Sequence, residues 1–292
     1  MSETQMTQEQ GSEPQRLPRW LRPGWARVTL LVVVFFAVMS LGNSATGALA
    51  GTVVGALLLG PAVAVFAVWL YRKLIDYTEQ RPVVELDRST ARAGLRRGTV
   101  VGLGLFTATM LIISMFGGMD SVGWGSFGGL LASLGISVGA AVCEEIFFRG
   151  IVFRLVERRW GTTVALIVSA LLFGGSHLFN PDATIGGALA IAIEAGLMLG
   201  AAYTATRTLW LPIGVHFGWN LAAGGLWGVT VSGSDAYTGV LHTTLSGPSA
   251  LTGGGFGPEA SVVAILVCSV ATVYFLRAAR RRTPQAVLND AV

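Results

Sequence analysis

A chain of 292 residues that is 52% hydrophobic and only 12% charged falls far short of the roughly 25% charge of water-soluble domains. Lipid is therefore the solvent for most of it, and a large soluble domain is excluded. The formal charge of +4 comes from basic loops of the kind that lie beside anionic lipid, so no nucleic-acid partner is implied.

Residues 1–15 are polar and rich in Glu and Gln, too poor in apolar side chains to pack. Residues 1–27 are accordingly expected to be a disordered cytoplasmic tail. Crossing about 30 Å of hydrocarbon takes roughly 20 apolar residues in a helix. Eight stretches qualify, near 28–48, 52–71, 98–117, 127–150, 162–180, 184–205, 209–229 and 260–277. The fold class expected is all-α, a polytopic membrane helix bundle of about eight transmembrane helices. The first span follows a polar, Pro-bearing tail and is read as a retained anchor rather than a cleaved signal.

Lys and Arg stay on the cytoplasmic side of short loops. Four arginines precede the first span, and seven Lys or Arg lie between the second and third. Four more close the fourth span, Arg207 separates the sixth and seventh, and four follow the eighth, which accounts for all 20. The alternate connections near 49–51, 118–126, 181–183 and 230–259 hold none. A multi-pass protein of the cell membrane with both termini cytoplasmic follows.

Four regions are expected: the tail 1–27; N-terminal transmembrane helices and a cytoplasmic loop over 28–120; a core over 121–230; and an outer loop, last helix and basic tail over 231–292. Residues 72–97 suit either an amphipathic surface helix or a solvated loop. The Gly-, Ser- and Thr-rich stretch 230–259 is expected to be irregular. Gly-Gly pairs inside the spans let helix backbones approach closely. No repeat of roughly 20–50 residues is visible, which weighs against an inverted-repeat transporter. Cys143 and Cys268 both fall within spans, so no external disulfide is available, and Cys143 is taken as packing.

Ionisable groups inside spans are costly and mark function. Here they gather in the middle four spans, leaving spans one, two, three and eight as scaffold. Span four carries Glu144, Glu145 and Arg149. Adjacent helical residues diverge by about 100°, whereas Glu145 and Arg149 have the i,i+4 spacing of an ion pair. Glu144, left without that partner, is the candidate general base. A purely structural charge network with Arg149, Arg154 or Arg207 is the competing account.

Two of the three histidines, His177 and His216, fall in spans five and seven, while His242 is read as a surface residue. Spans four and five turn near Trp160-Gly161. Glu144 lies 15 residues before Arg159 and His177 lies 15 after Thr162, so both stand about 22 Å from the turn and share a level. His216 and Asn220 share one helical face. The Asn220 amide suits an oxyanion, with an interhelical hydrogen bond as its structural alternative. Glu194 in span six falls near the same depth, either as cavity lining or as a structural partner.

These motifs, E-E-x-x-x-R at Glu144, Glu145 and Arg149, F-x-x-x-H at Phe173 and His177, and H-x-x-x-N at His216 and Asn220, occur in the order seen in the CPBP intramembrane proteases (CAAX protease and bacteriocin-processing, or Abi, family). The chain resembles that family over roughly residues 125–225, most closely at 211–220. The resemblance implies an intramembrane endopeptidase in which Glu144 and His177 activate water while His216 and Asn220 hold the oxyanion. Glu145 and Arg149 would orient the site beside Phe173. Its substrate would be a membrane-associated peptide or protein. The family has been described both as glutamate-dependent and as metal-dependent. Two His and a Glu can make a three-ligand zinc site, so zinc at Glu144, His177 and His216 stays open, although H-E-x-x-H is absent. No cofactor is otherwise implied. The alternatives from other classes are a non-catalytic membrane scaffold in bacteriocin immunity or regulation, and a proton-coupled transporter using Glu144 or Glu194.

Overall fold

The computed structural model describes residues 17–49, 51–234 and 239–289, with side chains described as far as Arg281. Six helical runs are long and apolar enough to cross a bilayer. They include α1 (Gly24–Ala48), α2 (Val53–Glu79), α3 (Arg88–Met115) and the membrane part of α10 (Val262–Asn289). The run Phe127–Phe179 is 53 residues long. It comprises α4 (Phe127–Glu145), a π-helical stretch Ile146–Phe153 and α5 (Arg154–Ser176). At Gly161 the backbone leaves the helix with φ 82°, a conformation that suits glycine, and the chain doubles back. The Phe148 and Phe173 rings meet at 5.0 Å across this hairpin.

The run Ile185–Thr206 joins α6 (Ile185–Ile191), a π-helical stretch Ala192–Leu197 and α7 (Met198–Thr206). Helix α8 (Trp210–Asn220) continues through a third π-helical stretch, Leu221–Trp227. With the Gly161 reversal, the architecture is an all-α bundle of about eight passes, as the hydropathy pattern leads one to expect.

Three expectations need correction. The tail expected over 1–27 gives way before its end, because Arg19–Leu21 form a 3₁₀ turn around buried Leu21 and α1 begins at Gly24; residues 1–16 lie outside those described. Residues 72–97 are neither a surface helix nor a loop. They are the C-terminal end of α2 and the N-terminal end of α3 with a 3₁₀ turn, Val84–Leu86, between them. Charge density marked this stretch as leaving the hydrocarbon, but helices continue beyond it. The stretch 230–259 is also more ordered than its composition suggests: β2 (Leu241–Leu245) pairs antiparallel with β1 (Met119–Trp124), and α9 (Ser249–Thr252) follows. Neither strand announces itself alone, since each takes its hydrogen bonds from a segment more than a hundred residues away.

Helix α8, which carries His216 and Asn220, is set against α3 by backbone contact. A Cβ on Gly98 would overlap the Leu211 carbonyl oxygen, one on Gly102 that of Val215, and one on Gly218 that of Thr99. In lipid, such closeness replaces the hydrophobic effect as the packing force. Gly98→Leu should therefore destabilise the folded protein by about 3 kcal/mol or more, since the clash is with main chain rather than a movable side chain. Gly104 on the same helix has nothing within 4 Å of such a Cβ, and Gly104→Leu should leave thermal unfolding of the detergent-solubilised protein unchanged. Equal losses in both variants would show the contact to be unimportant.

At the end of the bundle where α2 gives way to α3, Arg154 clasps Glu79 with two bonds of 2.6 Å, fixing the start of α5 to α2. Arg81 grips Glu85 at 2.6 and 2.9 Å, and the Glu85 carbonyl receives the Leu209 N–H at 2.8 Å, tying this turn to the start of α8. Burial alone would raise the Glu85 carboxyl, but the hydrogen bonds from Arg81 and Tyr71 outweigh it and hold the group below the ordinary carboxylate range. An acid depressed in the folded state stabilises above its unfolded pKa of about 4.3, and that contribution is lost as pH falls through the lower folded value. Acidification should lower the melting temperature in that window. Glu85→Gln should be less stable at neutral pH and show a flatter acid profile; identical profiles would refute the linkage.

Candidate active site

A cavity of about 610 Å³ opens between α1, α4, the end of α5 and α8. Glu144, His177, His216 and Asn220 all line it, as do Asn43 and Ser232. The Gly161 hairpin brings Glu144 and His177 to one level, the geometry expected from their equal distances to the turn.

Glu145 and Arg149 form their i,i+4 ion pair at 2.8 Å with both side chains fully buried. The guanidinium also donates to the Gly196 carbonyl at 3.0 Å and, more weakly, to that of Ala195 at 3.4 Å. It lies 4.7 Å from the centre of the Phe173 ring, close enough for a cation–π contact. Phe173 in turn borders both histidines, with ring separations of 5.0 Å to His177 and 5.8 Å to His216. The Arg149–Glu145 pair thus reaches the site through the bond between Glu145 Oε1 and His216 Nδ1, 3.0 Å long. A carboxylate oxygen only accepts, so Nδ1 bears the proton in that bond.

Glu144 points instead into the cavity. Its Oε1 accepts from Asn43 Nδ2 at 2.9 Å, Oε2 has no hydrogen-bond partner among the described residues, and Oε2 stands 3.8 Å from His216 Nε2. Helically adjacent carboxylates have diverged into different surroundings. Glu144 lacks the Arg149 partner, as its place on the helix leads one to expect, and among the described residues it takes a neutral amide and no arginine or lysine ion pair. Arg154 and Arg207 are engaged elsewhere, with Glu79 and Glu157, so they do not form a charge network with Glu144.

His177 Nδ1 lies 2.8 Å from the Phe173 carbonyl oxygen, which also accepts from Ser176 Oγ at 2.7 Å. The carbonyl can only accept, so Nδ1 carries the proton and the neutral ring keeps its lone pair on Nε2. Glu145 and Asn220 border π-helical stretches and Glu194 lies within one, where a widened turn re-aims side chains.

Sequence reasoning missed Asn43. It assigned α1 to the scaffold, yet α1 lines the cavity and supplies the amide bound to Glu144. The signal available was the Asn43-Ser44 pair within an otherwise apolar span. Glu194 is corrected too: it does not line the large cavity but a smaller void beside it. His242 is exposed on β2, away from the site. For zinc, among the described residues no three His, Cys, Asp or Glu side chains gather closely enough to hold a metal ion, while the Nδ1 bonds of His177 and His216 leave both Nε2 atoms facing outward from those partners.

Residues 126–222 match the family model of the type II CAAX prenyl endopeptidase Rce1-like proteins. The matched stretch runs from the start of α4 to just past Asn220 and contains every motif residue named above. No curated protein and no solved structure matches the chain. The match supports recognition of this segment as similar to the CAAX proteases of the CPBP family, in a chain with several helices apolar enough to cross a membrane. The family supports intramembrane protease activity in general, on a membrane-associated protein.

Proposed function

We propose that this chain is an intramembrane endopeptidase that hydrolyses a peptide bond in a membrane-associated peptide or protein, either a CAAX-type tail or a leader peptide, with water activated by Glu144 and His177. The observation that carries the reading is the convergence of Glu144, His177, His216 and Asn220 on one cavity. Glu144 offers an unpartnered oxygen and His177 an unprotonated Nε2, so a water between them has two acceptors facing it. Its proton passes to Glu144 as its oxygen attacks the carbonyl carbon, and Glu144 returns that proton to the amine that leaves.

The oxyanion is received by His216 and Asn220. With Nδ1–H given to Glu145, His216 can donate from Nε2 only as the imidazolium, a form favoured by two carboxylates at 3.0 and 3.8 Å. Arg149 and Glu145 then act through His216, fixing its ring. We place both termini in the cytoplasm of a cell-membrane protein, which puts the basic loops on the inner side. The role as drawn uses no metal.

The test is cleavage of lipid-anchored CAAX-type and leader-type peptides by the purified full chain in liposomes. Glu144→Ala and His177→Ala should each abolish it while leaving folded protein in the membrane. Full cleavage by either variant would overturn the assignment.

A further inference from the structure

The smaller void, about 20 Å³, shares His177, His216 and Asn220 with the large cavity and is lined in addition by Glu194, Glu259 and Trp219. A single water needs about 10–15 Å³ and two to four polar partners, so the space and its lining suit one. Glu194 is fully buried, and among the described residues its oxygens have no hydrogen-bond donor other than the weak Cys268 thiol beside it. Its polar neighbours include the Cys268 thiol and the carboxylate of Glu259, neither of which can balance a negative charge.

Glu259 is differently placed. Its Oε1 accepts from Trp219 Nε1 at 2.7 Å, and its Oε2 accepts from the Ser232 hydroxyl at 2.7 Å and from the Ser232 N–H. Three donors suit an ionised carboxylate. A second bare charge beside it, in a dry bundle, would be far costlier than a neutral acid. Asn220 meanwhile has no side-chain hydrogen bond among the described residues, although an amide that is to stabilise an oxyanion must present N–H rather than C=O.

We propose that Glu194 is a neutral carboxylic acid whose O–H donates to one water in this void, and that the water, by donating to Asn220 Oδ1 and towards Glu259, turns the Asn220 NH₂ group into the cavity. Glu194 is then a positioning residue, acting on the oxyanion side through the water and Asn220. This role rests on the peptidase reading; the neutral acid does not.

The experiment compares the wild-type full chain with Glu194→Gln and Glu194→Met in liposomes. Wild type should show the infrared carbonyl band of a protonated carboxyl at neutral pH, shifted in D₂O and missing from both variants. Met fills the volume without a donor, so kcat should fall about tenfold or more with KM unchanged, as for a misoriented oxyanion donor. Gln keeps a donor and should recover most of that loss. An unchanged infrared spectrum in the variants, a Met variant as fast as wild type, or a Gln variant as slow as Met would each overturn the proposal. If wild type cleaves nothing, the peptidase reading fails, and the infrared band still decides on the acid. If Met prevents folding, the band in wild type and Gln decides alone.

Discussion

Glu144→Gln is expected to lower kcat by about 10²–10⁴-fold, the usual worth of a positioned general base, with KM nearly unchanged. The substitution is well matched to the site. Glutamine keeps the shape of the side chain and the oxygen that accepts from Asn43 Nδ2 at 2.9 Å, so what disappears is basicity and the anion facing His216. Single-turnover cleavage in liposomes, with retained melting temperature as the check on folding, measures this. The contrast is Asn43→Ala, which leaves the base but removes the amide that donates to it; it should cost about tenfold or less, because the carboxylate survives and is merely less well aimed. A Gln variant with more than a tenth of wild-type kcat would transfer the base role to His177.

How much of this arrangement was legible in the sequence follows from the range of each interaction. The eight passes could be read because each depends on the apolarity of about twenty neighbouring residues. The Glu145–Arg149 pair and the His216–Asn220 face are i,i+4 relations within single helices, and the level shared by Glu144 and His177 follows from one short turn. Asn43 was missed because its partner lies 101 residues away, and an asparagine in an apolar helix says nothing about which helix it faces. The pairing of β1 with β2 was missed for the same reason. For Glu194 cavity lining and a structural partner both stayed open, since depth along a helix does not fix rotation about it, and Glu194 lies within a π-helical stretch, Ala192–Leu197, beside the smaller void.

Glu145→Leu should be the most destabilising single change in the site, at about 3–5 kcal/mol, the cost of leaving one member of a buried ion pair uncompensated. The abandoned Arg149 is fully buried, and its Nε already lacks a partner; only the Ala195 and Gly196 carbonyls and the Phe173 ring would remain to it. Arg149→Leu should cost less, because Glu145 keeps His216 at 3.0 Å. The double variant Glu145→Leu/Arg149→Leu buries no stranded charge and should recover most of the stability lost by Glu145→Leu, a strongly non-additive pair. It should not recover cleavage, since His216 Nδ1 would have lost the acceptor that fixes its ring and favours its charge. Unfolding in detergent measures the first quantity and liposome cleavage the second. Additive losses in the double variant would mean that the pair is not coupled as drawn, and restored cleavage would mean that His216 needs no anchor.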